Sequence, residues 1–227
     1  MRTNCGRIAV LLAMLSLALA PTAWGEVIGK TTQPLDGKQA RVAESTLADL
    51  VADAMRVSLK VDVALVQADR IRLALIPAGD LTRETLVGAL LFPDEQVVAV
   101  EVTGRVVVEA LERSLNYLPR PSMSFLQVSG LTVSYRSGDP ALRRIAEVKL
   151  GNAPLSLDKT YRVAMPLSLT KGSMGYYRVF GDLKVKENGP PMSDALVRYV
   201  QANPSVSLTP GQRLRNLSPP PPGSAKQ

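Results

Sequence analysis

The chain has 227 residues, with 27 Lys and Arg against 20 Asp and Glu, a net charge of +7, no histidine and a single cysteine, Cys5. Without imidazole, Ser-His-Asp and Cys-His catalysis are excluded, and zinc loses most of its usual ligands. The acidic residues stand singly and form no D-x-D-x-D-G loop, so only carboxylate acid/base work or a lysine-activated serine remain as catalytic routes, and neither a metal nor a cofactor is expected.

Arg2 and Arg7 flank the start of an apolar run, Ile8 to Ala20, and Ala23-Trp24-Gly25 supplies a small-x-small cleavage site. Residues 1–25 read as a secretory signal peptide. The run is too short for a membrane span, and nothing later approaches the roughly 18 apolar residues a spanning helix needs, so no transmembrane segment is expected. Cleavage after Gly25 predicts a periplasmic or secreted product. It would remove Cys5, which precedes the apolar run and is placed neither as a disulfide partner nor as a lipid-bearing cysteine. It would also remove Arg2 and Arg7, leaving 25 basic residues against 20 acidic ones, a charge of +5. That balance suits a phosphate or an acidic partner, and equally a solubilising surface. The remaining 202 residues, 227 minus 25, suffice for one domain with a proper core.

In "ESTLADLVADAMR", Leu47, Leu50, Val51, Ala54 and Met55 recur on one helical face behind Ser45 and Thr46 as caps. "VDVALVQ", Val61 to Gln67, predicts a strand. Gly79-Asp80 reads as a turn, and Thr82 as the N-cap of a short helix from Arg83 to Leu91. "EQVVAVEV" predicts a buried strand, and Thr103 a cap for the amphipathic helix "GRVVVEALERSLNYL", whose apolar face is explained by core packing. Strands follow in "FLQVSGLTVSYR", "IAEVKLG" and "TYRVAMPL", with bends or turns at Gly130 and Asn152. A last helix, "SDALVRYVQAN", follows Pro190-Pro191 with Ser193 as its cap. "LSPPPPGSAKQ" has no composition for packing, so residues 218–227 are expected to be a proline-rich disordered tail and 26–217 the domain. Alternating helices and strands, then clustered strands, predict an α/β domain with mixed sheets.

"SLTKGSMGYYRVF", Ser168 to Phe180, contains S-x-x-K in Ser168 and Lys171. That motif carries a nucleophile only with S-D-N and K-T-G partners downstream. Here Lys159-Thr160 is followed by Tyr161 and lies upstream, so a ligand-recognition loop is the better reading.

Taken in order, "ESTLADLVADAMR", "LVQADRIR", "IPAGDLTRETLVGALLFPDEQVVAVEVTG", "SFLQVSGLTVSY" and "KTYRVAMPLSLTKGSMGYY" resemble the C-terminal, substrate-recognition domain of the 5'-nucleotidase family. The resemblance runs from about Arg41 to Arg215. It implies a four-layer α/β/β/α fold and a family role in nucleotide catabolism. Family enzymes carry a two-metal metallophosphatase domain ahead of this one, whereas only a signal peptide precedes the match here. The resemblance therefore implies a domain that is not catalytic alone, whose partners are a nucleotide or other anionic small molecule, or a separate metallophosphatase chain.

Carried over position by position, the family's binding arginines fall on Arg41 and Arg72 and its first aromatic on Phe92. Its asparagine falls on Asp94, its second aromatic on Ser168, and its ribose-binding aspartate on Met174; Gly175 and Tyr176 keep the loop's ending. One aromatic face on a base is worth about 1–3 kcal/mol and a charged hydrogen bond about 1.5–3 kcal/mol. Losing both would weaken nucleotide binding by about 100-fold to 10,000-fold. Arg41, Arg72 and Arg70 can grip an anion bidentately, or serve as surface residues or partners of Asp69 and Asp94. Phe92 can stack on a planar ligand or belong to the core. No basic and aromatic residues interleave, so no nucleic acid is expected.

Overall fold

The computed structural model describes residues 25–181 and 183–218; the expected signal peptide before Gly25 and the tail beyond Ser218 lie outside the described residues. In chain order the first half runs β1 (Val27–Thr31), β2 (Leu35–Asp36), α1 (Thr46–Ser58), β3 (Val63–Gln67), β4 (Leu75–Ile76), β5 (Gly79–Thr82), α2 (Arg83–Gly88), β6 (Gln96–Thr103) and α3 (Gly104–Leu115). The second half adds β7 (Leu126–Ser129), β8 (Leu131–Tyr135), β9 (Ile145–Leu150), β10 (Ala153–Pro154), β11 (Thr160–Pro166), α4 (Leu167–Thr170), α5 (Tyr177–Phe180), β12 (Glu187–Pro191), α6 (Met192–Ala202), β13 (Ser205–Val206) and β14 (Leu214–Asn216).

The central sheet has the order β12-β6-β11-β3-β7, with β3 and β11 parallel and every other pair antiparallel. Every residue of β3 is buried, as a near-continuous apolar run requires when both faces of its sheet are covered. Helix α1 packs on β3 and β7, and α6 packs on α1. A four-stranded sheet, β10-β9-β8-β14, and a three-stranded one, β13-β1-β5, complete the mixed α/β architecture that alternation predicts. Among the described residues no helix is long and apolar enough to cross a membrane.

The caps behave as local chemistry dictates. Ser45 Oγ accepts from Ala48 N at 3.3 Å and Thr82 Oγ1 from Thr85 N at 3.2 Å, contacts that each contribute about 0.5–2 kcal/mol. Three expectations are corrected. Gly79-Asp80 is not a turn but the start of β5, because β1 pairs with it through Thr31↔Gly79 and Lys30↔Asp80. Ser193 is not a cap: α6 begins at Met192 behind Pro191, and the Ser193 N–H bonds to Pro93 O at 2.9 Å. Helix α3 stops at Leu115, and its N-cap Thr103 makes no side-chain hydrogen bond.

The C-terminal strand is clasped to α1 by charge. Glu44 accepts from the N–H groups of Gln212, Arg213 and Leu214 at 3.1, 2.7 and 2.6 Å. The Arg213 guanidinium forks onto Asp53 at 2.9 and 2.8 Å and lies 3.6 Å from Asp49. Burial, opposed by Arg213, pushes the Asp49 carboxyl up to about 8.

Candidate ligand-recognition site

Strand β3 ends in a tight turn, Ala68–Arg70, that turns Arg70 inward until it is only 5% exposed. Its guanidinium donates to Asp69 Oδ2 at 2.8 Å, meets the Glu95 carboxylate, and donates to Ser168 Oγ at 2.5 Å. Its central carbon lies 4.5 Å from the centre of the Phe92 ring, a cation–π distance. Glu95 accepts the Ser168 N–H at 3.0 Å. Gln67 donates to Ser173 Oγ at 2.6 Å, and Ser173 in turn reaches Ser168 Oγ at 3.4 Å. A polar chain therefore ties the end of β3 to the loop that follows β11. Burial raises the Asp69 carboxyl pKa, with the Arg70 charge opposing.

Around this knot lies a cleft of about 590 Å³, lined by Arg70, Leu91, Phe92, Pro93, Asp94, Glu95 and Ser168. Phe92 is 51% exposed and so belongs to the cleft wall rather than to the core. Asp69 and Glu95 neutralise Arg70, whereas Asp94 is exposed and makes no ion pair among the described residues. The cleft thus offers an aromatic face with acceptors beside it, and its one guanidinium is already engaged.

The loop itself consists of three short turns: α4, Ser173–Gly175 and α5. Gly172 has φ +80, and a Cβ there would stand 2.2 Å from Tyr177 Cα, so only glycine closes the loop. Gly175, with φ +84, similarly leaves room for the Arg113 guanidinium, 2.3 Å from where its Cβ would be. Ser168 Oγ bonds to Arg70 and Ser173, and Lys171 is exposed, as a recognition loop requires and a lysine-activated serine does not.

Of the residues singled out in the sequence, the fold brings Phe92, Asp94 and Ser168 together, with Arg70 among them. Arg72 is exposed, its Nε donating to Gly88 O at 2.7 Å, and does not line the cleft. Arg41 is half-buried; its carbonyl accepts from Ser122 N at 2.9 Å, and it too lies outside the lining. Met174 is exposed in a left-handed conformation, φ 55. Tyr176 is wholly buried, its hydroxyl donating to Ser124 O at 2.6 Å and its ring stacked on Phe180, and burial raises its phenol pKa. Gln67, Glu95 and Ser173 were not visible as site residues, because no spacing in the sequence connects them.

A model of the family described as 5'-nucleotidase, C-terminal domain matches residues 27–182. The chain belongs to this family. As a 5'-nucleotidase C-terminal domain it is 30% identical over 202 residues to an apyrase of Anopheles gambiae, spanning 84% of this chain and 34% of that protein. It is also 30% identical over 162 residues to the trifunctional nucleotide phosphoesterase protein YfkN of Bacillus subtilis, across 66% of this chain and 11% of the relative. Among solved structures, a 5'-nucleotidase precursor from Thermus thermophilus superposes with a TM-score of 0.76 at 26% identity, covering 86% of this chain and 40% of that one. The chain thus spans about a third or less of the length of these curated relatives.

Proposed function

We propose that this 5'-nucleotidase C-terminal domain is an exported recognition module that binds a nucleotide or a related anionic small molecule and does not hydrolyse it unaided. The observation that carries the reading is the cleft at Phe92, where a half-exposed ring stands beside the Asp94 carboxylate and the Ser168 hydroxyl. A base stacking on one aromatic face gains about 1–3 kcal/mol, and the two side chains offer acceptors for hydroxyl groups. Since Asp69 and Glu95 neutralise Arg70, the anionic end of a ligand is assigned to Arg72, which is exposed, with Arg41 in support. Met174 and Tyr176 contribute through the shape of the loop. Export rests on the signal peptide and places the product in the periplasm or outside the cell.

A second reading draws on the chain's spanning only 34% of the apyrase. A separate metallophosphatase chain would dock on this domain and supply the metal chemistry, making the two together a split enzyme.

Calorimetric titration of the chain with AMP, adenosine, UDP-glucose and inorganic phosphate tests the leading reading. Adenosine and AMP are expected to saturate, Phe92→Ala to abolish both, and Arg72→Ala to weaken AMP alone. No binding at millimolar concentration overturns the small-molecule reading. Turnover of nucleotide by the purified chain with added metal overturns the non-catalytic one.

A further inference from the structure

The same loop walls a second cleft, of about 710 Å³, against helix α3. Val108, Leu142 and Val179 line it together with the rings of Tyr117 and Tyr177, so its walls are largely apolar. Leu142 is 58% exposed and held at φ +63, a left-handed conformation that a branched apolar side chain adopts only when its surroundings impose it.

The single polar group that stands out in this cleft is Arg113. Its Nε and Nη2 donate to Gly175 O and Met174 O at 3.3 and 3.4 Å, both longer than a well-formed hydrogen bond. Its Nη1 is buried and has no acceptor among the described residues. No carboxylate pairs with Arg113 among them either. Glu112, its neighbour, already accepts from Arg144 N and Ile145 N at 3.0 and 2.9 Å. Arg105 is paired with Asp158, and Arg178 stacks on Tyr177, which leaves Glu109 as the cleft's one uncommitted acid. Two rings hold the Arg113 guanidinium in place, Tyr117 at 5.2 Å and Tyr176 at 5.6 Å. A preplaced, desolvated cation with an unused N–H inside an apolar cleft is half of a recognition pair, and the missing half is an anionic acceptor attached to an apolar body.

We propose that this cleft is a second binding site, taking an apolar or aromatic small molecule that carries one carboxylate, which accepts from Nη1 of Arg113. It shares the loop with the Phe92 cleft but none of that cleft's lining residues.

Calorimetric titration of the whole chain with 1-naphthoate, and with the neutral 1-naphthalenemethanol, tests the assignment. The carboxylate is expected to saturate and to bind about 10- to 100-fold more tightly than the alcohol, the range a charged hydrogen bond supplies. Arg113→Gln is expected to remove that preference while leaving the alcohol's affinity unchanged, and adenosine is expected not to compete. Tyr177→Ala, a change at a ring that is 61% exposed, is expected to weaken both ligands several-fold without unfolding the chain. Absence of saturation by 1-naphthoate at millimolar concentration overturns the proposal, as does equal affinity for acid and alcohol. Competition by adenosine would place the ligand in the Phe92 cleft and overturn it likewise. Should Arg113→Gln not fold, Tyr177→Ala decides, and unchanged 1-naphthoate affinity in that variant sinks the assignment.

Discussion

Arg70 and Arg113 hold opposite ends of one loop, yet their surroundings differ in kind. Arg70 reaches Ser168 with two carboxylates, Asp69 and Glu95, closed upon it. Arg113 reaches Met174 and Gly175 through long bonds to backbone oxygens, with no carboxylate paired to it among the described residues and one nitrogen unused. An arginine's place beside a recognition loop therefore does not make it a ligand group. Its remaining hydrogen-bonding capacity does. Arg70 is a structural tie that shapes the first cleft, and Arg113 is a group still able to receive an acceptor.

The largest expected effect follows from removing the tie. Arg70→Ala leaves Asp69 and Glu95 buried and uncompensated, a change that costs about 3–5 kcal/mol, to be read as a lower denaturation midpoint at unchanged slope. Arg70→Lys is expected to rescue little, since a point charge cannot serve Asp69, Glu95 and Ser168 at once. A stability loss below about 1 kcal/mol for Arg70→Ala would dissolve the contrast between the two arginines.

A third guanidinium extends the comparison to pH. Arg213 sits among Glu44, Asp49 and Asp53, and burial raises the Asp49 carboxyl from 3.8 to about 8. A carboxyl whose folded pKa is raised favours the folded state while it stays protonated. Its contribution is full below about pH 4, declines as the unfolded chain ionises above that, and levels off above about pH 8. Melting temperature measured from pH 4 to 8 is therefore expected to fall in the native chain and to fall less in Asp49→Asn.

The smallest effect is expected at Arg113. Arg113→Gln removes two long hydrogen bonds and its stacking on Tyr117 and Tyr176, which together contribute about 1 kcal/mol or less to stability. A loss comparable to that of Arg70→Ala would show that Arg113 is also a structural tie.

Much of the fold was legible along the chain. The buried face of α1, from Leu47 to Met55, and the caps Ser45 and Thr82 follow from residue types within one or two turns. Gly79-Asp80 misled because a glycine followed by an aspartate is a turn signal until another strand claims it, and the strand that does so, β1, is distant along the chain. Phe92 was open to either reading, since an aromatic beside "LVGALL" fits a core as well as a cleft, and only folding leaves it half exposed over Arg70.

By itself the sequence determined the helix faces, the caps, the glycines of the loop and the order of motifs that marks the family, because each depends on neighbours close along the chain. The tertiary structure alone decided that Arg70 meets Ser168, 98 positions away, and that Glu95 rather than Arg72 completes that site. It alone left Arg113 without an acid. Charge neutralisation and desolvation depend on distance in space, and no spacing of letters records which carboxylate folding will bring within reach of which guanidinium.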